Sequence, residues 1–200
     1  MHTNIRKGLL LVIMGPMFSG KTSRLLELLE RDMIAGRKIS LFKPRIDNRY
    51  SQGEVVTHKG IKLPATVVSI DSDGVSKIEN DSADSQVIGV DEAQFWPLDS
   101  CLPETLDRLA FKGKIVYVSL LNRDHRGEPF GSAMELLARA DEVQSLNAVC
   151  ARCGDEAYFT QRLYKGKETF GEQVQIGGKE LYEPRCRACY VRPSELSINL

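Results

Sequence analysis

The chain has 200 residues, enough for one sizeable core and a small appended lobe. With 42% hydrophobic and 27% charged residues it has the composition of a folded globular protein, which excludes disorder across its length. Its 27 basic residues balance its 27 acidic ones, so it lacks the basic field on which non-specific nucleic-acid binding depends, and a small-molecule partner gains weight.

Arg6 and Lys7 before the apolar run 9–14 superficially resemble a secretory leader, but the run is short, lacks a small-residue cleavage site and leads straight into a phosphate-loop pattern. No stretch nears the roughly 20 apolar residues of a membrane span, so a cytoplasmic protein with no membrane partner is expected. Residues 8–14, GLLLVIM, form a continuous apolar run closed by glycine, the pattern of a strand buried on both faces of a parallel sheet. After Gly20, Leu25, Leu28, Leu29 and Met33 recur at helical spacing, and Gly36 stands where a C-terminal cap belongs. Residues 38–42, KISLF, read as a second strand, followed by a polar loop over 44–53.

The stretch 71–85 is rich in Asp, Ser and Asn and reads as surface turns around a weak helix. Residues 87–90, VIGV, and 115–121, IVYVSLL, are two more buried strands, separated by a helix that opens near Pro103. Ser132 is placed to cap a helix through Met134, Leu136 and Leu137, and a last strand spans 143–149. Strands alternating with helices predict an α/β fold, a parallel sheet with helices on both faces. From Cys150 the texture changes: four of the five cysteines and several glycines lie in 150–193 without a long periodic run, the mark of a small loop-rich lobe. The expected division is a P-loop nucleotide-binding domain over 1–149 and a metal-stapled lobe over 150–200.

Residues Gly15, Pro16, Met17, Phe18, Ser19, Gly20, Lys21 and Thr22 fit G-x-x-x-x-G-K-[ST] in its required setting, a buried strand before and a helix after. In that pattern backbone N–H groups cradle the phosphates of ATP, the lysine neutralises them and the threonine hydroxyl ligates Mg²⁺. Asp91 and Glu92 follow VIGV and so fall at the carboxyl edge of the sheet, where ligands bind. Asp91 is then the Mg²⁺ carboxylate and Glu92 the catalytic carboxylate free for the attacking hydroxyl, and Glu92, Ala93 and Gln94 are expected with Asp91 among the residues that bind ATP and Mg²⁺. Adjacent acids after a strand also occur as solvated turns, and the phosphate loop decides between the readings.

Cys150-x-x-Cys153 and Cys186-x-x-Cys189 are two thiolate knuckles suited to a closed tetrahedral zinc site, with redox pairs or disulfides as the competing readings. Cys101 stands apart and reads as a core residue. The polar loop 122–131, NRDHRGEPFG, lies at the carboxyl end of IVYVSLL, where Arg123 and Arg126 either meet phosphates or stay solvated. His58 and His125 lack a ligand-spaced partner, which argues against a metal role.

Taken together, GPMFSGKT, DEAQF, RGEPFG, the TQRL segment at Thr160 and IGGKELYEPRCRAC resemble one family over nearly the whole chain, the zinc-containing type II thymidine kinases. The resemblance implies a RecA-like P-loop domain with a zinc lobe and a lasso-like loop, transferring the γ-phosphate of ATP to the 5′-hydroxyl of thymidine, with Glu92 as general base. It places Phe95, Leu121, His125 and Phe130 in the nucleoside pocket. Thr160, Gln173, Val174, Gln175, Ile176, Gly177 and Tyr182 join them from the lobe, Phe130 and Tyr182 having packing as the alternative. Asp47, Arg49 and Tyr50 match the family's loop after the second strand, and a homotetramer without nucleic-acid partners is implied. The chain departs from the family at His125, where an aromatic residue is usual, and at Asn122, where an Asp is usual. From another class, the competing hypothesis is a RecA-like ATPase whose zinc lobe binds nucleic acid.

Overall fold

The computed structural model describes residues 8–45, 54–56, 62–169, 172–175 and 177–192. Strand β1 (Leu9–Met14) leads through the glycine-rich loop into α1 (Lys21–Ile34) and on to β2 (Ile39–Pro44). A short hairpin, β3 (Glu54–Val56) and β4 (Lys62–Pro64), precedes β5 (Thr66–Val68), α2 (Ser72–Asp81) and β6 (Val87–Val90). Two 3₁₀ turns, Ala93–Phe95 and Leu98–Ser100, lead to α3 (Leu102–Phe111), β7 (Ile115–Leu120), α4 (Ala133–Arg139) and β8 (Glu142–Ser145). Then come β9 (Ala148–Val149), β10 (Glu156–Ala157), β11 (Phe159–Tyr164), β12 (Lys167–Glu168) and β13 (Tyr182–Arg185).

Six strands form one sheet in the order β5-β2-β6-β7-β1-β8, with every neighbouring pair parallel. Side chains alternate across a strand, and β1 shows the result: Leu10 and Val12 join one core cluster, Leu11 and Ile13 the other. On the second face α1 contributes Leu25, Leu26, Leu28 and Leu29. On the first, α2 supplies Val75 and Ile78, α3 supplies Leu102, Leu106 and Leu109, and α4 supplies Ala133 and Leu136. At roughly 1.5–3 kcal/mol for each fully buried leucine, the α1 contacts outweigh differences in helix propensity along it. The expected α/β fold with helices on both faces is the one found. Among the described residues no helix is long and apolar enough to cross a membrane.

Several local expectations change. The inner stripe of α1 ends on Asp32, not on Met33, which is 46% exposed. Asp32 tolerates burial because Tyr117 Oη donates to it at 2.8 Å and Arg37 pairs with it. The stretch 71–85 holds a regular amphipathic helix, started by Asp71, whose Oδ1 accepts the Gly74 N–H at 3.0 Å. The single strand expected over 143–149 is two: β8 runs along the sheet edge, and β9 turns away to pair with β10. Ser132 stands at the N-cap of α4, but its hydroxyl donates at 3.1 Å to the Ala93 carbonyl instead of capping.

Cys101 is exposed, not in the core: it sits at φ 60° in the turn that starts α3, ahead of the buried Leu102. The lobe also has more order than its composition promised, since β12-β11-β13 form an antiparallel sheet. Most of the loop 44–53, with Asp47, Arg49 and Tyr50, lies outside the described residues, as do His58 and Ile176.

Candidate functional site

The glycine-rich loop joins β1 to α1, and Gly20, at φ 85°, opens the helix in a left-handed conformation that a side chain would strain. Next to it Lys21 is only 6% exposed, its ammonium donating to the Pro16 carbonyl at 2.8 Å. Ser19 Oγ donates to the same carbonyl at 2.9 Å, so the loop is closed on itself around Pro16. Thr22 Oγ1 donates toward both oxygens of Asp91 at 3.2 Å, and Ser119 Oγ, from β7, also donates to Asp91. The Met17 N–H is bound by Thr160 Oγ1 of β11 at 3.0 Å, which docks the C-terminal lobe onto the loop.

Strands β1 and β6 flank β7, so the turns that follow them are about 10 Å apart at one sheet edge, two strand spacings. Glu92, directly after Asp91, has φ 55° and ψ 42°. A left-handed glutamate costs on the order of 1–3 kcal/mol and persists only where its surroundings impose it. Here the Ser119 hydroxyl accepts the Glu92 N–H at 3.3 Å. Gln94 Nε2 also donates to Glu92 Oε2 at 2.5 Å. Ala93 and Gln94 are fully enclosed.

Above this edge lies a pocket walled by Met17, Glu92, Phe95, Leu121 and Phe130. Phe95 and Phe130 meet edge to face, 5.7 Å between centroids. Thr160, Gln173, Val174, Gln175, Gly177 and Tyr182 close it from the lobe, and Arg123, Asp124 and His125 complete it. Tyr182 Oη donates to the Gln175 carbonyl at 2.7 Å, and Gln173 Nε2 donates to Asp124 Oδ2 at 3.0 Å, pinning the lobe segment at two points. His125 is 3% exposed, and burial pushes its pKa below the ordinary histidine value against the opposing pull of Asp124.

The sulfurs of Cys150, Cys153, Cys186 and Cys189 lie within 4.8 Å of one another, with Cys153 and Cys186 at 3.6 Å. Four thiolates on a tetrahedral ion with bonds near 2.3 Å stand about 3.8 Å apart, so the cluster fits a closed metal site. Burial raises the Cys150 thiol, but backbone N–H groups of Cys186, Cys153 and Arg152 more than offset this and hold it at about 6. Contact with the Cys186 and Cys153 sulfurs drives Cys189 up to about 12. So many thiolates cannot ionise together without a cation, which is the condition a bound dication removes.

Every described residue expected at the nucleoside borders this one pocket. The phosphate loop and Asp91 stand beside it. Arg123 lines both this pocket and a second cleft of about 660 Å³, along which Arg126, Arg187 and Arg192 lie. Sequence reasoning missed Asp124, which is 3% exposed and binds the N–H groups of Arg126 at 2.8 Å and Glu128 at 3.1 Å. Its signal was an Asp followed at once by the polar turn of a loop on the binding edge. Ser119, the hydroxyl shared between Asp91 and Glu92, was missed because it sits inside an apolar strand.

A parallel sheet with a glycine-rich phosphate cradle after its first strand, an acid pair two strands away and a four-cysteine lobe define a P-loop nucleotide-binding protein. The chain belongs to the thymidine kinase family, whose model, described as thymidine kinase, matches residues 8–190. It is 46% identical over 187 residues to a thymidine kinase of Pyrobaculum aerophilum, covering 92% of this chain and 100% of that protein. It is 45% identical over 192 residues to a thymidine kinase of Thermococcus kodakarensis, covering 94% and 96%. Its likeness to a structure of the replication initiator DnaA bound to AMPPCP and single-stranded DNA is 10% in identity, with a TM-score of 0.39, over 68% of this chain and 39% of that one. That likeness carries no argument.

Proposed function

We propose that this protein transfers the γ-phosphoryl group of ATP to the 5′-hydroxyl of thymidine, giving dTMP and ADP. What carries the reading, in a member of this family, is the meeting of Glu92 and the phosphate loop at the mouth of a lobe-covered apolar pocket. ATP lies along the loop 15–22, where Lys21 exchanges the Pro16 carbonyl for the β and γ phosphates. Thr22 and Asp91 would hold Mg²⁺: a hydroxyl and a carboxylate already drawn together are the hard oxygen donors it takes. When bound, Mg²⁺ neutralises charge on the transferring phosphate.

Glu92 accepts the proton of the 5′-hydroxyl as the oxygen bonds to the γ-phosphorus, and the bond from that phosphorus to the bridging oxygen breaks to release ADP. Phe95 and Phe130 hold the base by apolar contact, and the segment of Gln173, Val174, Gln175 and Gly177 closes over it. The lobe's peptide groups supply fixed donors and acceptors, so a base with an inverted hydrogen-bonding edge leaves them unpaired. The division into a P-loop domain over 1–149 and a lobe over 150–200, cytoplasmic location and a homotetramer belong to the same proposal, supported by the family resemblance.

The test is ADP formation with ATP and each nucleoside in turn, with and without single-stranded DNA. Thymidine is expected to exceed deoxycytidine and the purine nucleosides in kcat/KM by at least about 10²-fold, with DNA having no effect. Equal values for deoxycytidine and thymidine overturn the pocket assignment. ATP hydrolysis driven by DNA overturns the kinase.

The four cysteines, on this reading, hold one structural Zn²⁺ that fixes the lobe rather than taking part in chemistry. Cys153→Ser and Cys186→Ser are expected to lose the metal and raise the KM for thymidine, while ATP affinity is retained. Metal content measured with both affinities decides: a variant that keeps its zinc, or loses it and binds thymidine as before, contradicts the staple.

A further inference from the structure

We propose that Gln94 is a positioning residue for phosphoryl transfer, its carboxamide aiming the Glu92 carboxylate and linking that aim to the wall of the nucleoside pocket. This rests on the reading of Glu92 as base, and it moves Gln94 from the nucleotide-contacting role expected of it.

Gln94 is 0% exposed, and both ends of its amide are engaged. The Leu121 N–H donates to Oε1 at 2.9 Å, and Nε2 donates to Glu92 Oε2 at 2.5 Å. The orientation of the amide follows from chemistry: a backbone N–H only donates, so the oxygen must face Leu121 and the NH₂ must face the carboxylate. The turn that carries Gln94 is held in turn by the 126–131 loop. A β-carbon on Gly131 would stand 2.0 Å from the Gln94 carbonyl oxygen, so this loop lies directly against the turn, and Ser132 Oγ donates to the Ala93 carbonyl at 3.1 Å.

These contacts address a specific need. Glu92 lies in a left-handed conformation, and its long side chain has several rotamers that miss the acceptor hydroxyl. One fixed donor on Oε2 selects among them, and a base held in place contributes to rate through orientation. A neutral donor does this without cancelling the negative charge, as Lys or Arg would. The other end of the amide binds Leu121, whose side chain lines the nucleoside pocket, so the base and the pocket wall are held by one side chain.

Two substitutions separate positioning from support of the turn. Gln94→Met keeps the length and removes both hydrogen bonds. Gln94→Glu keeps an acceptor for the Leu121 N–H but replaces the donor to Glu92 with an oxygen. Both are expected to lower kcat by about tenfold or more while leaving the Kd for ATP unchanged. In a Glu92→Gln background neither should lower kcat further, because a residue that acts through Glu92 has nothing left to act on. General damage to the fold would lower that background by the same factor as the wild type.

Gln94→Glu with wild-type kcat, or Gln94→Met with equal losses in both backgrounds, overturns the positioning role. Glu92→Gln with wild-type kcat removes the base assignment and this proposal with it. A low Glu92→Gln rate beside Gln94 variants at full rate removes the positioning role alone.

Discussion

Lys21→Ala is expected to lower kcat for phosphoryl transfer by on the order of 10²–10³, with thymidine affinity unchanged. Lys21 is 6% exposed, so it acts where water competes little, and among the described residues its ammonium is the cation seen on the Pro16 carbonyl. The phosphates would lose a cation already aimed at the loop, a loss that falls on the transition state, where charge spreads over the transferring group. Asp91→Asn should act differently, raising the Mg²⁺ concentration needed for half-maximal rate, because its two oxygens gather the Thr22 and Ser119 hydroxyls. Titrating Mg²⁺ against both variants decides. Full recovery of Lys21→Ala by excess Mg²⁺, with none for Asp91→Asn, would mean that the two roles are exchanged.

Glu92→Gln should retain ATP and thymidine binding and lose roughly 10²-fold or more in kcat. The amide is isosteric with the carboxylate and still offers an oxygen to Gln94 Nε2, so the turn keeps its geometry while the proton acceptor is removed. Single-turnover rates with both substrates saturating isolate the chemical step. Turnover near that of the wild type would show that the 5′-hydroxyl proton leaves by another route.

What the sequence disclosed about this site depended on how local the determinant is. The phosphate loop lies within eight contiguous residues, and its flanking strand and helix are nearly as local. Asp91 and Glu92 were placed by the rule that ligands gather at the carboxyl ends of parallel strands, which needs only VIGV to be a strand. The engagement of Gln94 with Leu121 spans 27 positions, and that of Ser119 with Asp91 spans 28. Both follow from β6 and β7 being neighbours, which spacing along the chain does not reveal. Asp124 drew no reading among the polar residues of its loop, yet it is buried and accepts N–H groups of its own turn. The cysteine spacing announced the knuckles, but β13, YEPR, hides a strand behind a proline and two charges.

Thr160 walls the lobe-covered pocket and at the same time holds the Met17 N–H of the phosphate loop. On the proposed assignment, two substrates that arrive from different sides lean on one hydroxyl. Linkage is reciprocal: by whatever factor bound thymidine changes the affinity for ATP through this contact, bound ATP must change the affinity for thymidine by the same factor. The affinity measured for either substrate is then a property of the pair, and a saturation curve for one describes the enzyme only at the concentration of the other at which it was taken.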